Sequence, residues 1–370
     1  MTIRIVPFEE RHVVAVSEFN NRLKVKDVAF QFPEHPVPKW LPPQPNSDIY
    51  QEYFVAVDEN SDVRGGYILK HQRFLVNGKV ISIGDYQLPL SEGIIDQKYN
   101  MIGLLLITDA INRQPLMYAL GMGGAHQPLP KFLKAMRWTL NEVPFYFTIE
   151  HPYRFLRNIR VLRTTLWRRL ALDAVALSGV GWGIWKLHKM FKRTSGKCSL
   201  SVEVVEKFDD WVNPLWQQRN PDYKMAAVRN KEVLDILYPE QDKRFVKLKF
   251  SKAGTAVGWA VLLDTQMENH KQFRNMRVGT IVDCHSLQGY EREIIRLSWD
   301  ILKTKDVDLV ISNQYHSSWR DALITNGFLK GQSNFIFATS PKLTQNLKSA
   351  EAGLANVHMN RGDGDGPINL

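Results

Sequence analysis

Residues 306–328 read DVDLVISNQYHSSWRDALITNGF, and the order of their parts sets the fold class of this 370-residue chain. DVDLVISN is a short apolar, β-branched run, which predicts a buried strand. SWRDALITNGF predicts a helix ending at glycine, since Gly327 closes a helix in the left-handed conformation without steric cost. Working upstream, YEREIIRLSWDILKT (290–304) reads as an amphipathic helix and MRVGTIVDCHS (276–286) as a strand. RFVKLKFSKAGTAVGWAVLLD (244–264) is a strand pair across a Gly-containing turn, preceded by a strand at 198–208 and an acid-opened helix at 209–220. SNFIFATS (333–340) is a closing strand.

The first 150 residues repeat that order. IRIVPF is a strand and EERHVVAVSEFNNRL a helix, followed by a Pro-rich loop, FPEHPVPKWLPPQP, that cannot hold regular structure for long. Residues 53–90 read as three strands broken by turn signals at DENSD and NG. YNMIGLLLITDAINR is a helix, PLMYALGM a buried strand, LPKFLKAMRW a helix and VPFYFTIEH a final strand. Asp85 superposes on Asp283, Gln87 on His285, Gly66-Tyr67 on Gly258-Trp259 and Met136-Arg137-Trp138 on Asn326-Gly327-Phe328. The ordered series points to an internal repeat. Its boundaries are 1–150, 198–345 with a tail at 346–370, and a joining segment at 151–197.

The element order of each half resembles the GNAT superfamily of acyl-CoA-dependent N-acyltransferases, and the tandem pattern is similar to Fem-type transferases found with bacterial surface-polysaccharide genes. The resemblance covers roughly residues 1–150 and 198–345 and is one of order more than signature. It implies an α/β (α+β) fold of two domains, each a mixed, mostly antiparallel sheet flanked by helices, joined by a helical linker. It also implies acetyl-CoA or another acyl-CoA as donor, and an amine acceptor on an amino sugar or lipid-linked precursor. The rival expectation is a binding or assembly protein that kept the fold and lost the chemistry.

That family cradles the CoA pyrophosphate on backbone amides at the start of its long helix, where glycine permits close approach and the helix dipole favours an anion. The matching stretch of the first half is Lys98-Tyr99-Asn100-Met101-Ile102-Gly103, which keeps a basic first position and the last glycine. Lys98, Asn100, Gly103 and the strand-end Asn313 are the candidate cofactor residues. In the second half Glu291 falls where an anionic ligand would sit. The Tyr that often protonates the leaving thiolate is replaced by Leu133 and Leu323. For acid–base work, Asp283 and His285 alternate on a strand and share a face. They are either a base with its orienting partner or a capping and a satisfied polar residue; Asp85 and Glu92 are the first-half candidates. Gly121-Met122-Gly123-Gly124 before His126 is a ligand-contacting or merely tight turn. Asp363 and Asp365 lie either on a free acidic tail or on a returning strand, NVHMN, that carries them towards a polar acceptor.

The net charge of +10 belongs to one segment. Residues 151–197 hold eleven bases and one acid, Asp173, leaving 48 − 11 = 37 bases and 38 − 1 = 37 acids elsewhere. A nucleic-acid-coating protein would spread its charge, so no nucleic acid is expected. Phe155, Ile159, Leu162, Leu166 and Leu170 form one helical apolar face. LALDAVALSGVGWGIW (170–185) is too short and broken to span a bilayer. The segment either lies on an anionic membrane or packs between domains. Two distant cysteines, no metal-ligand spacing and no signal peptide lead to a cytoplasmic expectation, possible seat the inner face of the membrane.

Overall fold

The computed structural model describes residues 2–45, 47–160, 162–178, 199–219, 222–348 and 356–364. The chain forms two compact units, Met1–Asn141 with Ile336–Gly353, and Glu142–Phe335 with Leu354–Leu370.

In the first unit, β1 (Arg4–Pro7), β2 (Ile49–Val57), β3 (Val63–Val76) and β4 (Lys79–Ser91) pair antiparallel in sequence order. The β3–β4 turn is Asn77-Gly78, both with positive φ (48° and 78°), the hairpin turn that matches strand twist. β5 (Met117–Gly121) then pairs parallel with β4, at Gly84–Met117 and Asp85–Tyr118. β6 (Thr139–Glu142) and a late strand, Ile336–Thr339, complete the sheet. Helix α1 (Val13–Val25) buries Val16, Phe19 and Leu23 on one face against Val55, Ile68 and Leu90. Helix α2 (Ile102–Arg113) buries Leu106, Ile107 and Ala110 on the other, against Tyr67, Leu69 and Tyr86. Helix α3 (Pro128–Ala135) follows β5.

The second unit uses the same parts. β8 (Ser201–Val205), β10 (Phe245–Lys252), β11 (Thr255–Gln266) and β12 (Arg277–Ser286) are antiparallel neighbours, and β13 (Leu309–Asn313) joins β12 in parallel. The β10–β11 turn, Ala253-Gly254, again has two positive φ angles. Helix Glu291–Lys303 buries Ile294, Ile295 and Leu302 beneath the sheet, and helix Ser317–Thr325 buries Trp319 and Leu323. A helix at Lys231–Leu237, after the short strand β9 (Met225–Ala227), is absent from the sequence expectation.

Two expectations change. The closing strands are exchanged: β7 (Phe145–Ile149), expected to end the first half, pairs with β13 and β14 (Leu329–Gly331) in the second sheet. The strand Ile336–Thr339, here β15, pairs instead with β5 in the first. Alternating apolarity fixes which face of a strand is buried, not which sheet receives it. The continuous apolar face expected across residues 155–170 is also divided. Helix α4 (Pro152–Asn158) packs Phe155, with Ile159 just after it, on Met267, Phe273 and Met276, whereas Leu166 and Leu170 of α5 (Leu166–Leu177) stay exposed. Trp182, Trp185 and the lysines of that segment lie outside the described residues.

Candidate functional site

Where two parallel strands part, their facing backbone edges lose their partners and leave a crevice at the carboxyl ends, the place where α/β sheets take ligands. In the second unit β12 and β13 pair from Val278–Leu309 to Ile281–Ser312; beyond that point β12 keeps only β11 and β13 keeps only β7, which flanks it along its whole length. Asp283 and His285 follow on β12, Asn313 ends β13, and all three side chains are buried.

The chain itself furnishes the partners there. Arg229 donates from Nε to Asp283 Oδ2 at 2.8 Å and from Nη2 to Asp363 Oδ1 at 2.5 Å. Tyr238 Oη donates to Asp283 Oδ2, and Asn360 Nδ2 to Asp283 Oδ1, both at 2.8 Å. The returning segment bridges Asn360 to Gln314, and the Tyr315 amide donates to the Met359 carbonyl at 3.0 Å. Arg361 Nε donates to Asn313 Oδ1 at 3.0 Å. Gly362 is required at this point, because a Cβ would collide with Tyr238 Oη and Asp283 Oδ2. Asp363 therefore lies on an ordered return rather than a free tail, though as a turn and not as a strand. Asp365 lies outside the described residues.

Burial alone would raise the Asp283 carboxyl, but Arg229, His358 and the Asn360 and Tyr238 hydrogen bonds outweigh it and hold it below the usual carboxylate range. His285 stacks on Trp259 and reaches the Leu215 carbonyl at 3.3 Å. Burial pushes it down to about 3, so it is a neutral imidazole. Tyr223 sits among His285, His316 and His358 at ring separations of 5.1–5.9 Å. Burial likewise lowers His316, to about 3, and His358. Arg229, Tyr238, Asn360 and the two further histidines escaped the sequence reading. The usable signal was Arg229 itself, a cation inside the apolar run MAAVRN, where an unpaired charge would be prohibitive.

The two helix starts differ. In the second unit Glu291 is the anion at the start of its own helix: Oε2 accepts from the Gly289 amide and Oε1 from Arg219 Nη2, both at 2.8 Å. In the first unit α2 begins without a side-chain cap; Lys98, Asn100 and Met101 are exposed, and a Cβ on Gly103 would meet nothing within 4 Å.

On the first sheet, Gln51 Nε2 donates to Gln87 Oε1 at 2.8 Å and Gln87 Nε2 to Asp85 Oδ2 at 2.7 Å. Lys70 Nζ, fully buried and 5.8 Å from the centre of the Trp40 ring, stands 3.7 Å from the same oxygen. Asp85 lies in the last register pair of β4 with β5, whereas Asp283 lies two residues beyond the last pair of β12 with β13. Glu92 is not part of this cluster: Arg22 and Arg64 hold it at 2.8 and 3.1 Å. At the end of β5, residues 121–124 all have positive φ, including the non-glycine Met122, and His126 beyond them is exposed. Leu133 and Leu323 are wholly buried core residues.

The fold is that of two GNAT-like units, each a sheet flanked by helices. No protein-family model and no curated protein sequence matches the chain. Solved structures do. A conserved protein of Enterococcus faecalis V583, described as a probable N-acyltransferase, aligns at TM-score 0.50 and 9% identity over 93% of this chain and 74% of that one. A GCN5-related N-acetyltransferase of Anabaena variabilis aligns at 0.51 and 10% over 91% and 72%. Saccharomyces cerevisiae N-myristoyltransferase, solved with bound myristoyl-CoA, aligns at 0.50 and 11% over 91% and 79%. At such identities the likeness establishes a shared fold.

Proposed function

We propose that the chain is an N-acyltransferase that draws an acyl group from acetyl-CoA or another acyl-CoA held by its first unit. The observation that carries this reading is the contrast between the two helix starts. A pyrophosphate needs free amides, room for close approach and no competing anion. The start of α2 has no side-chain cap and open space at Gly103, beside Lys98 and Asn100, with Asp96 holding only the Lys98 amide upstream, while Glu291 already fills the corresponding place in the second unit. Asp85 is the proposed proton acceptor, and Asp283, locked between Arg229 and Asn360, has a structural part. The acceptor we propose is an amine on an amino sugar or lipid-linked precursor of surface-polysaccharide synthesis, reached from the cytoplasmic side of a membrane.

A second reading is a GNAT-fold binding or assembly protein without chemistry. Leu133 and Leu323, core residues where the family often carries its acid, favour it. Calorimetric titration of the full chain with acetyl-CoA and CoA separates the two. One equivalent bound supports the donor site, two would reopen the second unit, and none at millimolar ligand would remove CoA-dependent transfer.

A further inference from the structure

Helix α5 presents an apolar face that nothing described covers. Its N-terminus is capped by the Thr165 hydroxyl, which accepts from the Arg168 amide, and none of its residues is buried. At 100° per residue, Leu166, Leu177, Leu170, Ala174, Trp167, Ala171 and Val175 all fall within one half of its circumference. Leu172, Asp173 and Ala176, on the opposite half, are the residues partly covered. Trp167 is 82% exposed, Leu166 and Leu177 74%, and Leu170 61%. An uncovered patch of this kind marks a contact surface rather than ordinary surface apolarity.

The charge around it selects the partner. Asp173, the single acid of residues 151–197, is consumed by a two-pronged pair with Arg163 at 2.8 and 2.9 Å. Arg160, Arg168 and Arg169 pair with no carboxylate among the described residues. α4 is anchored by Phe155, so α5 is carried on a fixed support instead of a free tail. A protein partner would have to match an apolar face and an arginine border together. An anionic bilayer supplies both at once, acyl chains for the leucines and tryptophan and phosphates for the arginines. No described helix is long and apolar enough to cross a membrane, so the contact is interfacial.

We propose that α5 seats the protein on an anionic lipid surface, its Leu166–Trp167–Leu170 face inserted beneath the headgroups. This stands independently of the acyltransferase reading. The test is sedimentation of the full chain with phosphatidylcholine vesicles, with and without about a third phosphatidylglycerol, for wild type, a Leu166→Glu/Leu170→Glu variant and an Arg168→Gln/Arg169→Gln variant. These side chains are exposed, so unchanged melting temperatures confirm that each variant is folded. The expected result is pelleting on anionic vesicles alone, weakened at least tenfold by either variant. No pelleting on anionic vesicles would overturn the proposal, as would pelleting equal in wild type and the Glu variant, which would assign lipid contact elsewhere. Self-association by light scattering, abolished by the Glu variant in place of lipid binding, would give the face to a second copy and overturn it too.

Discussion

At the scale of single residues the two units mirror each other most clearly at the ends of two helices. Arg137 (φ 63°) and Gly327 (φ 87°) occupy the same left-handed closing position, and Trp138 and Phe328 follow as buried anchors. Their amides donate to Leu133 and Leu323 at 3.0 Å in the same pattern. Arginine is strained where glycine is not, so Arg137→Gly is expected to stabilise the protein by roughly 1 kcal/mol after the glycine entropy is deducted. A denaturant midpoint unchanged or lowered would refute that. The two matched carboxylates should separate by phenotype. Asp283→Asn leaves Arg229 short of a buried partner and is expected to cost roughly 3 kcal/mol of stability. Asp85→Asn is expected to lower kcat at least about a hundredfold while leaving acyl-CoA affinity unchanged. If Asp85→Asn leaves kcat intact, the base lies elsewhere.

At the scale of elements, the start of α2 supports a test with opposed outcomes. Gly103 has open space where a side chain would go, and an acid in the first turn favours a helix by roughly 0.5 kcal/mol. Gly103→Asp should therefore keep or raise stability while weakening acyl-CoA binding at least about tenfold, through repulsion of the pyrophosphate. Equal weakening of fold and binding would instead mark Gly103 as a structural glycine. The residue types are visible in the sequence: the basic position and late glycine at this helix start, and Glu291 at the helix start of the second unit. What it could not carry is that Glu291 reaches back to its own Gly289 amide and Arg219, since that is a matter of rotamers and packing.

At the scale of the whole chain, the second unit stores two imidazoles, His285 and His316, that are neutral in the fold. Burial sets His285 and His316 near 3 and lowers His358, whereas an unfolded histidine takes its proton near pH 6.5. Between about pH 6.5 and 3 the unfolded chain thus binds more protons, so stability is full above that window and falls as pH drops through it. His285 and His316 each add a slope approaching about 1.4 kcal/mol per pH unit. Asp283, itself depressed, adds to the loss near the bottom of the window. The melting temperature is expected to fall steadily from pH 7 to pH 4, and a flat profile would show that these side chains are hydrated in solution.

The sequence by itself determined the parts: strand, helix, meander, long helix, strand and capped helix, twice over, because periodicity and turn chemistry are local properties. It also located the charge and the carboxylates Asp85 and Asp283. The tertiary structure decided how those parts were assigned. Strands β7 and β15 were exchanged between sheets, because a short apolar strand does not encode its partner. The segment from Val357 to Asp363 returned to close over Asp283, a contact spanning 80 residues between Asp283 and Asp363 that rests on Arg229, itself remote from both in sequence. Burial and pairing at long separation are what turn a carboxylate into a base or a strut, and only the fold supplies them.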